Sequence, residues 1–276
     1  MPARDGTLDG DAAAPFDLVG SGDVGVVVVH GFTGTPFEVR YLGEQLARAG
    51  FHVRGVRLPG HGTALADLDA TRWQDWAAAV EDAFDSLRRS CGRVAVVGQS
   101  LGGLLALHLA ARRREVSAVA SLAAPLWLDG LGRHVGRLAA QGTWQRATPW
   151  FTKIPKFSGS DVRDRGAHAA NPCYDAIPLK ALGELVQFMR VVDDALPEIT
   201  QPVLVLHASQ DHTAPVSCAY RIAERAHAQR LRILPQSYHL IAVDVERDIV
   251  AEEVISFVRR TTEVNQQAEG DKACAT

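Results

Sequence analysis

The chain has 276 residues, 47% hydrophobic and 22% charged, with a formal net charge of −3, as expected of one globular domain or of one core carrying an insertion. That charge balance, with no Lys/Arg-rich block, excludes an electrostatic nucleic-acid binder, and the longest apolar runs are far short of a bilayer span. The polar start Met1–Gly6 lacks an apolar leader core, and Cys91, Cys173, Cys218 and Cys274 show neither metal-ligand spacing nor a disulfide framework, so reduced thiols in the cytoplasm are the expectation.

Residues 1–20 are rich in Asp, Gly and Ala without periodicity and read as a flexible arm. Val24–Val29 is a valine run too short for a free helix, and it reads as a buried parallel strand. His30-Gly31-Phe32-Thr33-Gly34 follows it. Val39, Leu42, Leu46 and Ala49 then recur at helical spacing, with Gly50 placed to stop the helix. Phe51–Val56 reads as the next strand and leads into Leu58-Pro59-Gly60-His61-Gly62. A helix is expected over 71–89, with Thr71 as its N-cap and Trp73, Trp76, Val80, Phe84 and Leu87 on one face.

Val94–Val97 ends in Gly98-Gln99-Ser100-Leu101-Gly102-Gly103, and an apolar helical pattern begins at once. Strand, Gly-x-Ser-x-Gly and helix together spell a nucleophile elbow, which lifts a serine hydroxyl above the carboxyl edge of a sheet. Val116–Leu122 is a further buried strand. Strands alternating with helices predict an α/β fold, with a mostly parallel central sheet covered by helices on both faces.

The rhythm breaks over 126–177, where Trp127, Leu131, Val135, Leu138, Trp144, Trp150, Phe151, Ile154 and Phe157 are mixed with Gly, Pro and charges. This stretch is too apolar for a linker and is expected to be a small inserted cap. The core resumes with a helix over 178–196, a strand at 202–207, a helix near 218–226, a strand at 231–234 and a helix over 246–260. The expected organisation is a core of 21–125 and 178–261, a cap of 126–177 and a flexible tail of 262–276.

A serine hydroxyl needs a base, and the base needs an orienting acid. In a fold with such an elbow the order is Ser, then acid after a late strand, then His after the last strand. Asp211 follows the strand at 202–207, and His239 follows the strand at 231–234. Both therefore fall at the same sheet edge as Ser100. Of the ten histidines, His52, His108, His134, His168 and His227 fall on strands, helices or the cap and read as packing or surface groups. His207 and His212 precede the last strand, which makes them poor bases, and His61 reads as a structural turn residue. Asp193 and Asp194, at a helix end, are the alternatives for the acid. Asp244 and Asp248 follow His239 too closely, and one of them is expected to cap the last helix. For the oxyanion, the Leu101 N–H opens a helix and the Phe32 N–H lies in the loop after the early strand.

Assembled in this order, the residues resemble the α/β-hydrolases, and more narrowly the small bacterial carboxylesterases and monoacylglycerol lipases. The resemblance covers about residues 25–260. It rests on His30-Gly31-Phe32-Thr33-Gly34, Leu58-Pro59-Gly60-His61-Gly62, Gly98-Gln99-Ser100-Leu101-Gly102-Gly103, Asp211 and His239. It implies a serine carboxylic-ester hydrolase acting through an acyl-enzyme on small esters with an apolar acyl group, such as monoacylglycerols. It further implies oxyanion donors at Phe32 and Leu101 and no cofactor, while the lack of a His-x-x-x-His or Cys-x-x-Cys cluster disfavours a metal and the short apolar runs disfavour integral membrane association. One departure is Tyr238, where related sequences often carry glycine before the histidine. The same trio also suits a thioesterase, a C–C bond hydrolase or a perhydrolase, and a silent ligand-binding protein is the reading from a different class.

Overall fold

Strand β2 (Val24–Val29) lies between β3 (His52–Val56) and β4 (Arg93–Gln99), both parallel to it. The chain thus steps to one side of β2 and returns on the other, and that reversal opens a crevice at the carboxyl ends of β2 and β4, where ligands of open α/β sheets bind. In this computed structural model, which describes residues 10–141, 150–156 and 159–273, the sheet continues with β5 (Val116–Leu122), β8 (Val203–Ala208) and β9 (Arg230–Leu234), all parallel. β1 (Phe16–Leu18) closes the other edge, antiparallel to β3, giving seven strands in the order β1-β3-β2-β4-β5-β8-β9. The mostly parallel α/β-hydrolase architecture expected from the sequence is present.

Helices cover both faces. α1 (Phe37–Arg48) and α9 (Arg247–Ala273) pack on one, burying Val26, Val28, Val39, Leu42, Val97, Val254 and Phe257. On the other, α3 (Trp73–Arg88), α4 (Leu101–Arg112), α7 (Leu179–Ala195) and α8 (Ser217–Arg225) share a core with Val27, Val29, Val96, Trp76, Phe84 and Phe188. The central strands are buried on both faces, which is why they read as continuous valine runs without alternation.

Four elements differ from the sequence reading. The expected arm contributes β1, because Phe16 fits over Gly43 and Gly55, where an added Cβ would come within 2.7 Å and 2.2 Å of its ring. A short helix α2 (Leu65–Ala70) was not expected, and Thr71 ends it: its hydroxyl donates to Leu68 O and accepts the Trp76 indole N–H. α3 begins at Trp73 instead, with the Asp75 carboxylate accepting the Arg72 N–H. The final helix runs to Ala273, past the expected start of a tail at 262. Trp144, Phe157 and Cys274 lie outside the described residues, as does the side chain of Leu131.

Between β5 and α7 the chain forms α5 (Gly130–Gln141), the antiparallel pair β6 (Lys153–Pro155) and β7 (Ala176–Pro178), and α6 (Arg165–Ala170). α5 packs along α7. Among the described residues no helix is long and apolar enough to cross a membrane.

Candidate active site

Ser100 occupies the turn between β4 and α4 with φ 57 and ψ −114, a conformation rare for a side-chain-bearing residue. The turn can close only because its flanks lack side chains. A Cβ at Gly98 would sit 2.0 Å from the Gly102 backbone, and one at Gly102 would sit 2.1 Å from Val29 O. The strain is held by the ladder, since Ser100 N–H donates to Leu122 O on β5 (2.8 Å).

His239 lies in the loop after β9. The Ser100 hydroxyl is 2.8 Å from its Nε2, and its Nδ1 donates to Asp211 Oδ2 at 2.7 Å. The structure therefore brings Ser100, His239 and Asp211 into one hydrogen-bonded line from three strand ends. Asp211 has a fully buried side chain. Its Oδ1 accepts the N–H groups of Thr213 (2.8 Å) and Ala214 (2.7 Å), and His207 Nε2 stands 3.3 Å from Oδ2. Burial alone would raise its pKa, but the imidazoles of His239 and His207 hold it well below the usual carboxylate range. For His239, burial disfavours the imidazolium, and the Asp211 carboxylate outweighs this, leaving the pKa above the ordinary 6.5. A permanent anion behind a basic imidazole suits the imidazole to accept a proton from the serine.

Asp193 is committed elsewhere, to Arg221 and Arg225 on α8, and Asp248 to Tyr41. His61 is buried, with Nδ1 3.0 Å from Pro59 O and its ring edge-on to His30, Phe32 and Trp76, so burial pushes its pKa down to about 4. His30 is similarly structural: its Nε2 accepts the Leu58 N–H at 3.1 Å.

Phe32 turns its ring toward His61 and Trp76 and lies with Gly31 and Thr33 beside Ser100 on the wall of one cavity of about 770 Å³. Leu101 opens α4, where the first N–H groups have no intrahelical acceptor. The rest of the wall is largely apolar, from Pro125, Leu128, Val162, Ile177, Leu182, Leu185 and Leu240. Tyr238 also lines the cavity, its ring edge-on to His212 (4.5 Å between centroids) and under the Arg163 guanidinium (5.3 Å).

Several supporting residues escaped the sequence reading. Gln99 Nε2 donates to His239 O (2.9 Å), and its Oε1 accepts the Ala242 N–H (3.3 Å), tying the elbow to the base loop. Asp161 accepts the His212 N–H, His212 Nδ1 and the Thr213 hydroxyl, fastening the 126–177 segment to the loop after Asp211. Asp244 receives the N–H groups of Arg163, Asp164, Tyr238 and Val245. It therefore organises the His239 loop and that segment, and none of these four amides belongs to α9, so its carboxylate is not the helix cap that the sequence suggested. The Glu246 carboxylate accepts the N–H groups of Gln236 and Ser237. Gln99 was the one such residue marked by position, being inside the Gly-x-Ser-x-Gly turn.

A parallel sheet covered on both faces, with hydroxyl, imidazole and carboxylate aligned at its carboxyl edge, defines an α/β-hydrolase. The chain belongs to the family described as serine aminopeptidase, S33, whose model matches residues 22–246. It is 31% identical to a thermostable monoacylglycerol lipase of Bacillus sp. (strain H-257), over 89% of this chain and 94% of that protein. It is 26% identical to a carboxylesterase of Bacillus subtilis (strain 168), over 89% and 96%. Among solved structures, one from work on LipS and LipT, two metagenome-derived lipolytic enzymes, superposes with a TM-score of 0.81 at 28% identity, covering 91% of this chain and 98% of that one. A monoacylglycerol lipase of Paleococcus ferrophilus shares the fold, with a TM-score of 0.75 at 20% identity over 90% and 98%.

Proposed function

We propose that the chain is a serine carboxylic-ester hydrolase in which Ser100 is the nucleophile, His239 the general base and acid, and Asp211 the orienting carboxylate. The observation that carries this is the unbroken line Ser100 Oγ–His239 Nε2 and His239 Nδ1–Asp211 Oδ2, at 2.8 Å and 2.7 Å. Ser100 Oγ attacks the acyl carbonyl as its proton passes to His239 Nε2. The N–H groups of Phe32 and Leu101 meet the oxyanion, a service worth about 100- to 1,000-fold in rate per donor. His239 then protonates the leaving alcohol, leaving an acyl-enzyme. Water then attacks the acyl carbon as one of its protons passes to His239 Nε2, and the acid is released when the acyl–Oγ bond breaks and His239 returns that proton to Ser100 Oγ.

The substrate class follows from the wall. Residues 126–177 act as a cap, supplying Leu128, Val162 and Ile177, while α7 adds Leu182 and Leu185. An apolar pocket of this size suits a short to medium acyl chain, since burying each methylene contributes about 0.8 kcal/mol. Esters of small alcohols, monoacylglycerols among them, fit both this cavity and the names of the relatives.

The test compares p-nitrophenyl esters of rising chain length, 1-monoacylglycerols and acyl-CoA thioesters, with Ser100→Ala as control. Ester turnover that disappears in the variant is expected. Thioester turnover without ester turnover would overturn the substrate class, and a folded wild type that resists a fluorophosphonate probe would overturn the enzyme reading.

A further inference from the structure

The loop carrying Phe32 is fastened on both sides of that residue by groups the reaction steps do not themselves use. On one side, Gly31 N–H donates to Glu38 Oε2 at 2.8 Å. Glu38 lies in the first turn of α1 and is only 2% exposed. The fit is close: a Cβ on Gly34 would stand 2.1 Å from Glu38 Oε1, and one on Gly31 would stand 3.0 Å from Oε2. On the other side, Lys156 Nζ reaches across from the cap to the Thr33 hydroxyl (3.1 Å), and Tyr174 N–H donates to Thr33 O (3.1 Å). Thr33 has φ 63, the left-handed region that a β-branched residue seldom enters. Such a conformation persists where its surroundings over-determine it. Here two of the surrounding contacts belong to the cap.

We propose that Glu38 and Lys156 are positioning residues that hold the Phe32 amide on the oxyanion, so that the oxyanion hole is complete only with the cap seated on the loop. The inference rests on the ester-hydrolase reading, in which the Phe32 N–H is one of the oxyanion donors. A donor is effective only when it stands about 2.7–3.1 Å from the developing charge. Phe32 sits between the two fastened residues, so a swing at either one displaces its amide. Charge supports the arrangement. Burial raises the pKa of the Glu38 carboxyl, with the Gly31 N–H and the Lys156 ammonium acting against that shift. A carboxyl that is neutral, or balanced by Lys156, accepts the Gly31 N–H without setting an uncompensated negative charge beside the oxyanion. Lys156, on the same cavity wall, contributes a favourable field there.

The experiment uses the full chain and the variants Glu38→Leu, Glu38→Gln, Lys156→Met and Lys156→Arg. It measures kcat and KM for p-nitrophenyl butyrate and the inhibition constant of a trifluoromethyl ketone, whose hemiketal oxyanion occupies the same hole. Glu38→Leu and Lys156→Met should each lower kcat about ten- to a hundredfold, as a displacement of about 1 Å does, with KM within twofold of wild type, because the interaction lost is one made only in the transition state. The ketone should weaken by the same factor, and the Gln and Arg variants should recover most of both. Unchanged kcat and ketone affinity in Lys156→Met, or a loss confined to KM, would overturn the proposal. So would Gln and Arg variants no better than Leu and Met. If Glu38→Leu does not fold, Lys156→Met and Glu38→Gln decide it. Failure of the underlying reading is distinguishable, because then wild type and Ser100→Ala would turn over the ester equally.

Discussion

The carboxyl edge of the sheet and the proposed cap, residues 126–177, are built by different means. At the edge, Ser100, Asp211 and His239 each follow a parallel strand, fully buried for β8 and nearly so for β4, and the elbow is fixed by backbone contacts so close that Gly98 and Gly102 admit no Cβ. Among its described residues the proposed cap has two three-residue strands and helices of twelve and six residues, and it exposes Leu138, Trp150 and Phe151. It is joined to the edge by side-chain polar seams at Lys156, Asp161 and Asp244, with backbone bonds from Tyr174 to Thr33 and from Leu240 to Asp161 and a small apolar cluster of Val162, Ala167, Leu240 and Val243 beside them. Close backbone packing fixes the geometry of the chemistry, while a polar seam lets the wall of the cavity change residue by residue as long as the seam survives.

That contrast can be broken at its rigid side first. Ser100→Ala should remove ester turnover by roughly 10⁶-fold while far-UV circular dichroism and the thermal midpoint stay at wild-type values; residual turnover near wild type would mean the edge is not where the reaction occurs. The seam comes next. Asp244 is 1% exposed and holds four N–H groups, so Asp244→Ala should cost about 4 kcal/mol in urea unfolding, the scale of stranding several buried donors. A loss no greater than that of a surface substitution would show that the seam does not hold the cap.

The wall itself should respond more gently. Ile177→Trp fills the cavity from the cap side and is expected to lower the octanoate-to-butyrate ratio of kcat/KM about tenfold, close to the loss of two buried methylenes at about 0.8 kcal/mol each; an unchanged ratio would place the acyl chain elsewhere. The smallest effect belongs to pH. In the proposed base role His239 works only when neutral, and although burial favours the neutral form, the Asp211 carboxylate raises its pKa above the ordinary 6.5. The acid limb of kcat/KM should therefore rise with pH through a midpoint above 6.5, and a midpoint below that value would mean Asp211 does not govern the imidazole.

The rigid side was also the legible one. Valine runs mark β2 and β4 because those strands are buried on both faces, and Gly98-x-Ser100-x-Gly102 carries its own steric explanation. Asp211 and His239 could be picked out because each sits just past an apolar strand, a local pattern. The residues that hold the loops are not marked in this way. Glu38 reads as an ordinary acidic residue in the first turn of a helix, Asp161 as a loop carboxylate and Asp244 as a candidate cap of the last helix. Asp161 and Asp244 reach partners far away in sequence, 80 residues in the case of Asp164 and Asp244, and Glu38 bonds a loop amide that no periodicity marks. β1 is three residues long and too short to show a period, and its evidence is the fit of Phe16 on two glycines. The last helix outruns the sequence reading because Glu, Gln, Lys and Ala are good helix formers even where no apolar stripe continues.

Asp244 bears on how such proteins diversify. Because one carboxylate gathers amides from 163–164 and from Tyr238 and Val245, the stretch 160–164 belongs mechanically to the histidine's loop although it lies within the cap in sequence. A chimera that imports a foreign cap should therefore be cut before Ser160. Inserted that way, new walls can be traded between relatives while the histidine keeps its footing.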